Sequence, residues 1–85
     1  MDEESFLGTV TRFDAETLVA KIALQGKLYV GDTILIRKGG IRVIHKVESM
    51  RIQGINVDTG FIGDIIELEM KQQVAVESDV YKVPK

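Results

Sequence analysis

The feature that most constrains this chain is Gly39-Gly40, two glycines between Thr33–Lys38 (TILIRK) and Ile41–Lys46 (IRVIHK). Both flanking segments are rich in branched apolar residues and alternate between apolar and polar, which is the period of a half-buried strand. A two-residue glycine loop joining such segments specifies a β-hairpin with a turn of the primed type. The wider stretch 28–52 is therefore expected to organise the fold, with earlier strands pairing onto it and later ones closing it.

Upstream, residues 6–13 (FLGTVTRF) read as a strand with Phe6, Gly8 and Val10 on one face and Leu7, Thr9 and Thr11 on the other. Gly8 inside that pattern predicts a sharp bend or a close backbone approach. Residues 17–24 (TLVAKIAL) form a second expected strand with Leu18, Ala20, Ile22 and Leu24 inward. A helix over 15–24 is the rival reading, because Ala, Glu, Leu and Lys favour helices. The short spacer at residues 14–16 favours the hairpin.

Residues 28–32 (LYVGD) open the central hairpin, with Gly31 expected at positive φ. Val43, His45 and Val47 share a face, but Met50 and Ile52 fall out of phase with them, which predicts a β-bulge or bend near Glu48 and Ser49. Residues 53–63 read as a loop, with Ile55, Val57 and Phe61 or Ile62 tucked over one end of the fold. Residues 64–70 (DIIELEM) are a further strand with Ile66, Leu68 and Met70 inward, residues 71–79 a loop, and residues 80–83 a short closing strand ended by Pro84. No internal repeat is evident. The expected architecture is all-β, a small closed antiparallel barrel of about six strands spanning residues 6–83, preceded by a flexible tail at residues 1–5.

Composition removes several function classes. The 85 residues include no cysteine, so disulfides, thiolate nucleophiles and sulfur metal ligands are excluded. A formal net charge of -2 argues against a general nucleic-acid binder. The start Met1-Asp2-Glu3-Glu4-Ser5 is acidic where a secretory leader is basic, and no apolar run is long enough for a bilayer span, so a cytoplasmic location is expected.

His45 is the sole histidine, and a zinc site would need ligands the chain lacks. Its expected role is structural, at a barrel rim or partly buried. Ser49, His45 and Asp64 could be written as a triad, but no nucleophile-elbow glycines surround Ser49. The 56–60 loop (NVDTG) lacks the glutamate of a calcium loop at the right offset. Asp32, Asp58, Asp64 and Asp79 sit beside turns, where their carboxylates bond nearby amides. No catalytic residue, metal site or cofactor is expected. The one asymmetry of charge is the hairpin, where Arg37, Lys38, Arg42, Lys46 and Arg51 have only Glu48 as a nearby acid in sequence. These five residues are the candidate contact surface for RNA phosphate or for an acidic protein surface.

The order of motifs adds a family resemblance. Gly8-Thr9-Val10, then Leu28-Tyr29-Val30-Gly31-Asp32, then Lys46-Val47-Glu48-Ser49-Met50, then Gly60-Phe61-Ile62-Gly63-Asp64 resembles domain 2 of elongation factor Tu and the small translation elongation factor-like proteins. The resemblance implies a β-barrel in which each Gly-Asp turn feeds a core strand. It does not imply GTP hydrolysis, because Leu28 follows the sole Gly-Lys pair, Gly26-Lys27, where a phosphate loop needs Ser or Thr. The expected function is a non-enzymatic accessory module contacting RNA, the ribosome or a translation factor through residues 37–51. The alternative is a protein-protein adaptor docking on a larger enzyme or complex.

Overall fold

A computed structural model describes residues 5–84, and its ten strands form two antiparallel sheets. The strands are β1 (Ser5–Asp14), β2 (Val19–Leu24), β3 (Leu28–Tyr29), β4 (Thr33–Lys38), β5 (Ile41–Lys46), β6 (Arg51–Ile52), β7 (Ile55–Asn56), β8 (Thr59–Gly60), β9 (Ile65–Glu69) and β10 (Asp79–Val83). Eight of them lie in the order β5-β4-β10-β1-β2-β9-β6-β7, while β3 and β8 form a separate two-stranded ladder. No helix forms over residues 15–24. The turn at 15–18 ends in Leu18 at a φ of 60°, and the strand begins one residue later. Four residues of the expected tail lie outside the described residues, whereas Ser5 opens β1 and pairs with Lys82.

The expected closed barrel gives way to an open order, because no ladder joins the edge strands β5 and β7. The sheet nevertheless curls. Val43 on β5 and Ile52 on β6 pack against one apolar cluster, yet six strand spacings would part them by roughly 29 Å in a flat sheet. Ala20, Ile22, Ile34, Ile36, Ile66 and Leu68 line the concave face, and the expected inward phase of these strands holds.

Two irregularities in β1 reset its faces. Register shifts fall between Phe6 and Gly8 and between Val10 and Arg12. The first buries Leu7 and leaves Phe6 42% exposed, the reverse of the simple alternation. The second brings Arg12 opposite Lys21 on the convex face. Gly8 has a φ of 154°, and a Cβ there would stand 2.1 Å from the Ala23 carbonyl oxygen. The close approach expected at that glycine is the contact that lets β1 bend across β2.

The expected bulge or bend near Glu48 and Ser49 is a non-strand link over residues 47–50, which carries the chain from β5 to β6 within the same eight-stranded sheet. Met50 is buried there and Val47 fills the core. The expected closing strand, β10, lies inside the sheet between β1 and β4. Ile55, Phe61 and Ile62 are 69%, 51% and 75% exposed, so of the residues expected to cap the core from 53–63 only Val57 packs on it.

The two Gly-Asp turns are copies of one another. Asp32 and Asp64 each accept a 2.9 Å bond from an amide three residues earlier, Tyr29 N–H and Phe61 N–H. Gly31 and Gly63 have φ values of 101° and 94°. Gly31 N–H donates to the Val47 carbonyl and Val47 N–H to the Asp32 carbonyl, and Gly63, Leu24 and Asp64 repeat the same exchange. Each turn launches a core strand, β4 or β9. This is an internal repeat that the sequence reading does not detect.

Candidate partner-binding surface

The β4–β5 hairpin closes as expected, with Lys38 opposite Ile41 and Gly39 at a φ of 60°. Gly40 is not at positive φ, which is the signature of a type II′ turn. Cross-strand partners share a face, so the register of β5, β4, β10 and β1 fixes which side chains meet on the convex side. One row runs Ile44, Leu35, Tyr81, Phe6. The next runs Arg42, Arg37, Asp79, Thr9, and Lys46 stands opposite Thr33 on the other flank.

The middle row is an apolar stripe on the outside of the protein. Leu35 is buried although it faces away from the core, covered by its neighbours in the row, while Ile44 is 65% exposed. Phe6 and Tyr81 meet edge to face with ring centroids 5.7 Å apart. Arg37 stacks on the Tyr81 ring at 4.9 Å, and its Nη2 donates to the Tyr81 hydroxyl at 3.2 Å. The aromatic residues therefore do join the hairpin, through strands distant in sequence. Sequence reasoning missed this because the pairing of β4 with β10 has no local signal.

The five expected cationic residues separate. Arg37, Arg42 and Lys46 share the convex face. Arg37 and Arg42 are directly opposite each other, an arrangement that costs stability between like charges. Arg42 and Lys46 form no ion pair among the described residues. Lys38 is turned aside, its Nζ donating to the Val76 carbonyl at 2.9 Å. Arg51 lies on β6, across the sheet, opposite Glu67 and Asn56. It does not belong to the hairpin surface.

His45 faces inward and is 7% exposed, a structural position as expected from its strand phase. It lines a shallow groove with Ser49, Glu48, Glu69 and Lys71, while Asp64 lines a different groove and is bonded to the Phe61 amide. The three residues of the paper triad are thus not assembled. Burial lowers the imidazole pKa below its ordinary 6.5, Lys71 lowers it further, and Glu48 opposes both. The folded protein then binds less proton than the unfolded chain as pH falls below about 6.5. The associated stability is complete above that value and is lost as pH drops toward the lowered folded value. Thermal unfolding at pH 7.5 and 5.5 should show a smaller acid-side fall in His45→Gln than in the parent; an equal fall would show that the imidazole is not the group responsible.

No family model and no curated protein matches the chain. Among solved structures it is similar to the C-terminal domain of a Geobacillus thermoleovorans protein described as a "putative U32 peptidase", with a TM-score of 0.87 at 19% identity over 94% of this chain and 93% of that one. The selenomethionine variant of that domain gives a TM-score of 0.86 at 20% identity, covering 92% of this chain and 99% of that one. These neighbours overturn the resemblance to elongation factor Tu domain 2 and the translation role drawn from it. The Gly-Asp turns that carried the resemblance are a local device for launching a core strand and are not diagnostic of a translation factor. At this level of identity the likeness establishes the fold: a small all-β antiparallel domain of the kind found at the C-terminus of that larger protein.

Proposed function

We propose that this chain is a non-enzymatic accessory domain that docks on a larger polypeptide through the convex face of β5, β4, β10 and β1. The observation that carries the reading is the row Ile44, Leu35, Tyr81, Phe6, an apolar stripe flanked by Arg37, Arg42 and Lys46. A contiguous apolar row on an outer sheet face, bordered by two arginines directly opposite each other, is a pattern that contact with water alone does not favour. A partner presenting an apolar ridge bordered by carboxylates would cover the stripe and neutralise the arginines. The likeness to a C-terminal domain of a larger protein supports the same reading.

The test compares wild type, Ile44→Asp and Arg37→Glu with Arg42→Glu as immobilised baits, alongside a titration with labelled RNA at low and moderate salt. A protein retained by wild type and lost from both variants, with no RNA bound, is the expected result. Partners retained equally by all three baits would contradict it. Saturable RNA binding abolished by the charge reversals would replace it with a nucleic-acid reading.

A further inference from the structure

We propose that a second site, independent of the convex stripe, binds a small organic anion: a phosphate or carboxylate carried on an apolar body. It is the groove beside the β1–β2 turn, with a volume of about 580 Å³, lined by Arg12, Phe13, Val19, Lys21, Arg51 and Glu67 together with residues of that turn. A cleft of this size suits a small molecule.

The groove is built by register. The irregularity after Val10 sets Arg12 opposite Lys21, Lys21 stands opposite Glu67, and Glu67 stands opposite Arg51. Four side chains from four strands thus form one row on the same face. Without the shift in β1, Arg12 would fall on the opposite side of its strand.

Accounting for the charges shows what is left over. Glu67 is engaged twice, its Oε2 lying 3.8 Å from Lys21 Nζ and its Oε1 accepting from Gly54 N–H at 3.4 Å. Asp14 accepts the Glu16 amide at 2.9 Å. Both acids of the groove therefore have internal partners, and so does Lys21. Neither Arg12 nor Arg51 has an ion-pair partner among the described residues, although Arg51 is directly opposite Glu67. Two uncommitted guanidiniums lining one groove of the convex face give it donors for planar or tetrahedral oxyanions, which a guanidinium binds through paired N–H groups. Phe13, half-buried against the core, and Val19 give the apolar body of such a ligand a surface to rest on.

The probes are phenyl phosphate, benzoate and inorganic phosphate, titrated into the full-length 15N-labelled chain and followed by amide shifts. Phenyl phosphate or benzoate should produce saturable shifts centred on Arg12, Phe13, Val19 and Arg51, with inorganic phosphate weaker because it lacks the apolar body. The stronger of the two aromatic probes identifies phosphate or carboxylate as the preferred group. Arg12→Gln and Arg51→Gln should each weaken binding roughly tenfold while leaving the remaining amide spectrum unchanged. Shifts centred on Arg37 and Arg42, wild-type affinity in either variant, or no saturable shift into the tens of millimolar would overturn the proposal. None of these results alters the outcome of the docking test, which reads residues on the other half of the sheet.

Discussion

Gly8→Ala is expected to destabilise the domain by about 4 kcal/mol, combining backbone strain with overpacking. The added Cβ would meet the Ala23 carbonyl oxygen at 2.1 Å and the Ala23 carbonyl carbon at 3.0 Å, and backbone cannot rotate away as a side chain would. A φ of 154° adds a conformation that residues with a Cβ rarely adopt. For 85 residues the whole stability is about 4 to 13 kcal/mol, so the loss removes between about a third and all of it and moves the unfolding midpoint far below that of wild type. Gly40→Ala is the matched control, since nothing lies within 4 Å of its added Cβ and its φ is not in the glycine region. Urea unfolding of both distinguishes a specific contact from a general penalty on glycine substitution. A Gly8→Ala midpoint within error of wild type would show that β1 does not cross β2 so closely.

Ile66→Ala is expected to cost about 3 to 4 kcal/mol, whereas Ile44→Ala should change stability by about 0.5 kcal/mol or less. Both are isoleucines on strands. Ile66 is wholly buried on β9 opposite Ile22, and truncating it leaves a cavity in the concave core. Ile44 projects from the convex side and is 65% exposed, so its truncation removes little buried area. The contrast separates residues that hold the fold from residues available to a partner. Equal losses in chemical denaturation would mean that the stripe belongs to the core and is not a docking surface.

Much of the fold was legible because its signals are local. Alternation placed Ile22, Ile34, Ile36, Ile66 and Leu68 on the inward face, and Gly39-Gly40 fixed the hairpin. The faces of Phe6 and Leu7 were misread because a one-residue register shift inverts a period-two pattern without leaving any mark in composition. Strand order was invisible for a related reason. Nothing in residues 79–83 announces that they insert between β1 and β4, so the expected closing strand proved internal and the closed barrel proved an open, curled sheet.

The candidate site divides along the same line. Arg37, Arg42 and Lys46 share one face because one hairpin holds them. Arg51 was grouped with them by proximity in sequence, although the break at 47–50 carries the chain across to the other end of the sheet. Tyr81 and Phe6 were missed as members of the surface, and Arg12 and Lys21 as neighbours of Arg51, since only long-range pairing unites them. The duplicated turns share too few identical residues, chiefly Gly31-Asp32 and Gly63-Asp64, to be seen as a repeat before their hydrogen bonds are compared.

Site-specific photo-crosslinking tests the docking surface most directly. A photoreactive phenylalanine analogue replaces Ile44 in one protein and Ile62, exposed on a Gly-Asp turn, in another. Irradiation in the native cell should join the Ile44 probe to a discrete polypeptide, with the adduct lost when Arg37→Glu and Arg42→Glu are added and no matching adduct from the Ile62 probe. An adduct that forms equally from both positions, or survives the charge reversals, would contradict the assignment of the convex stripe as the surface a partner covers.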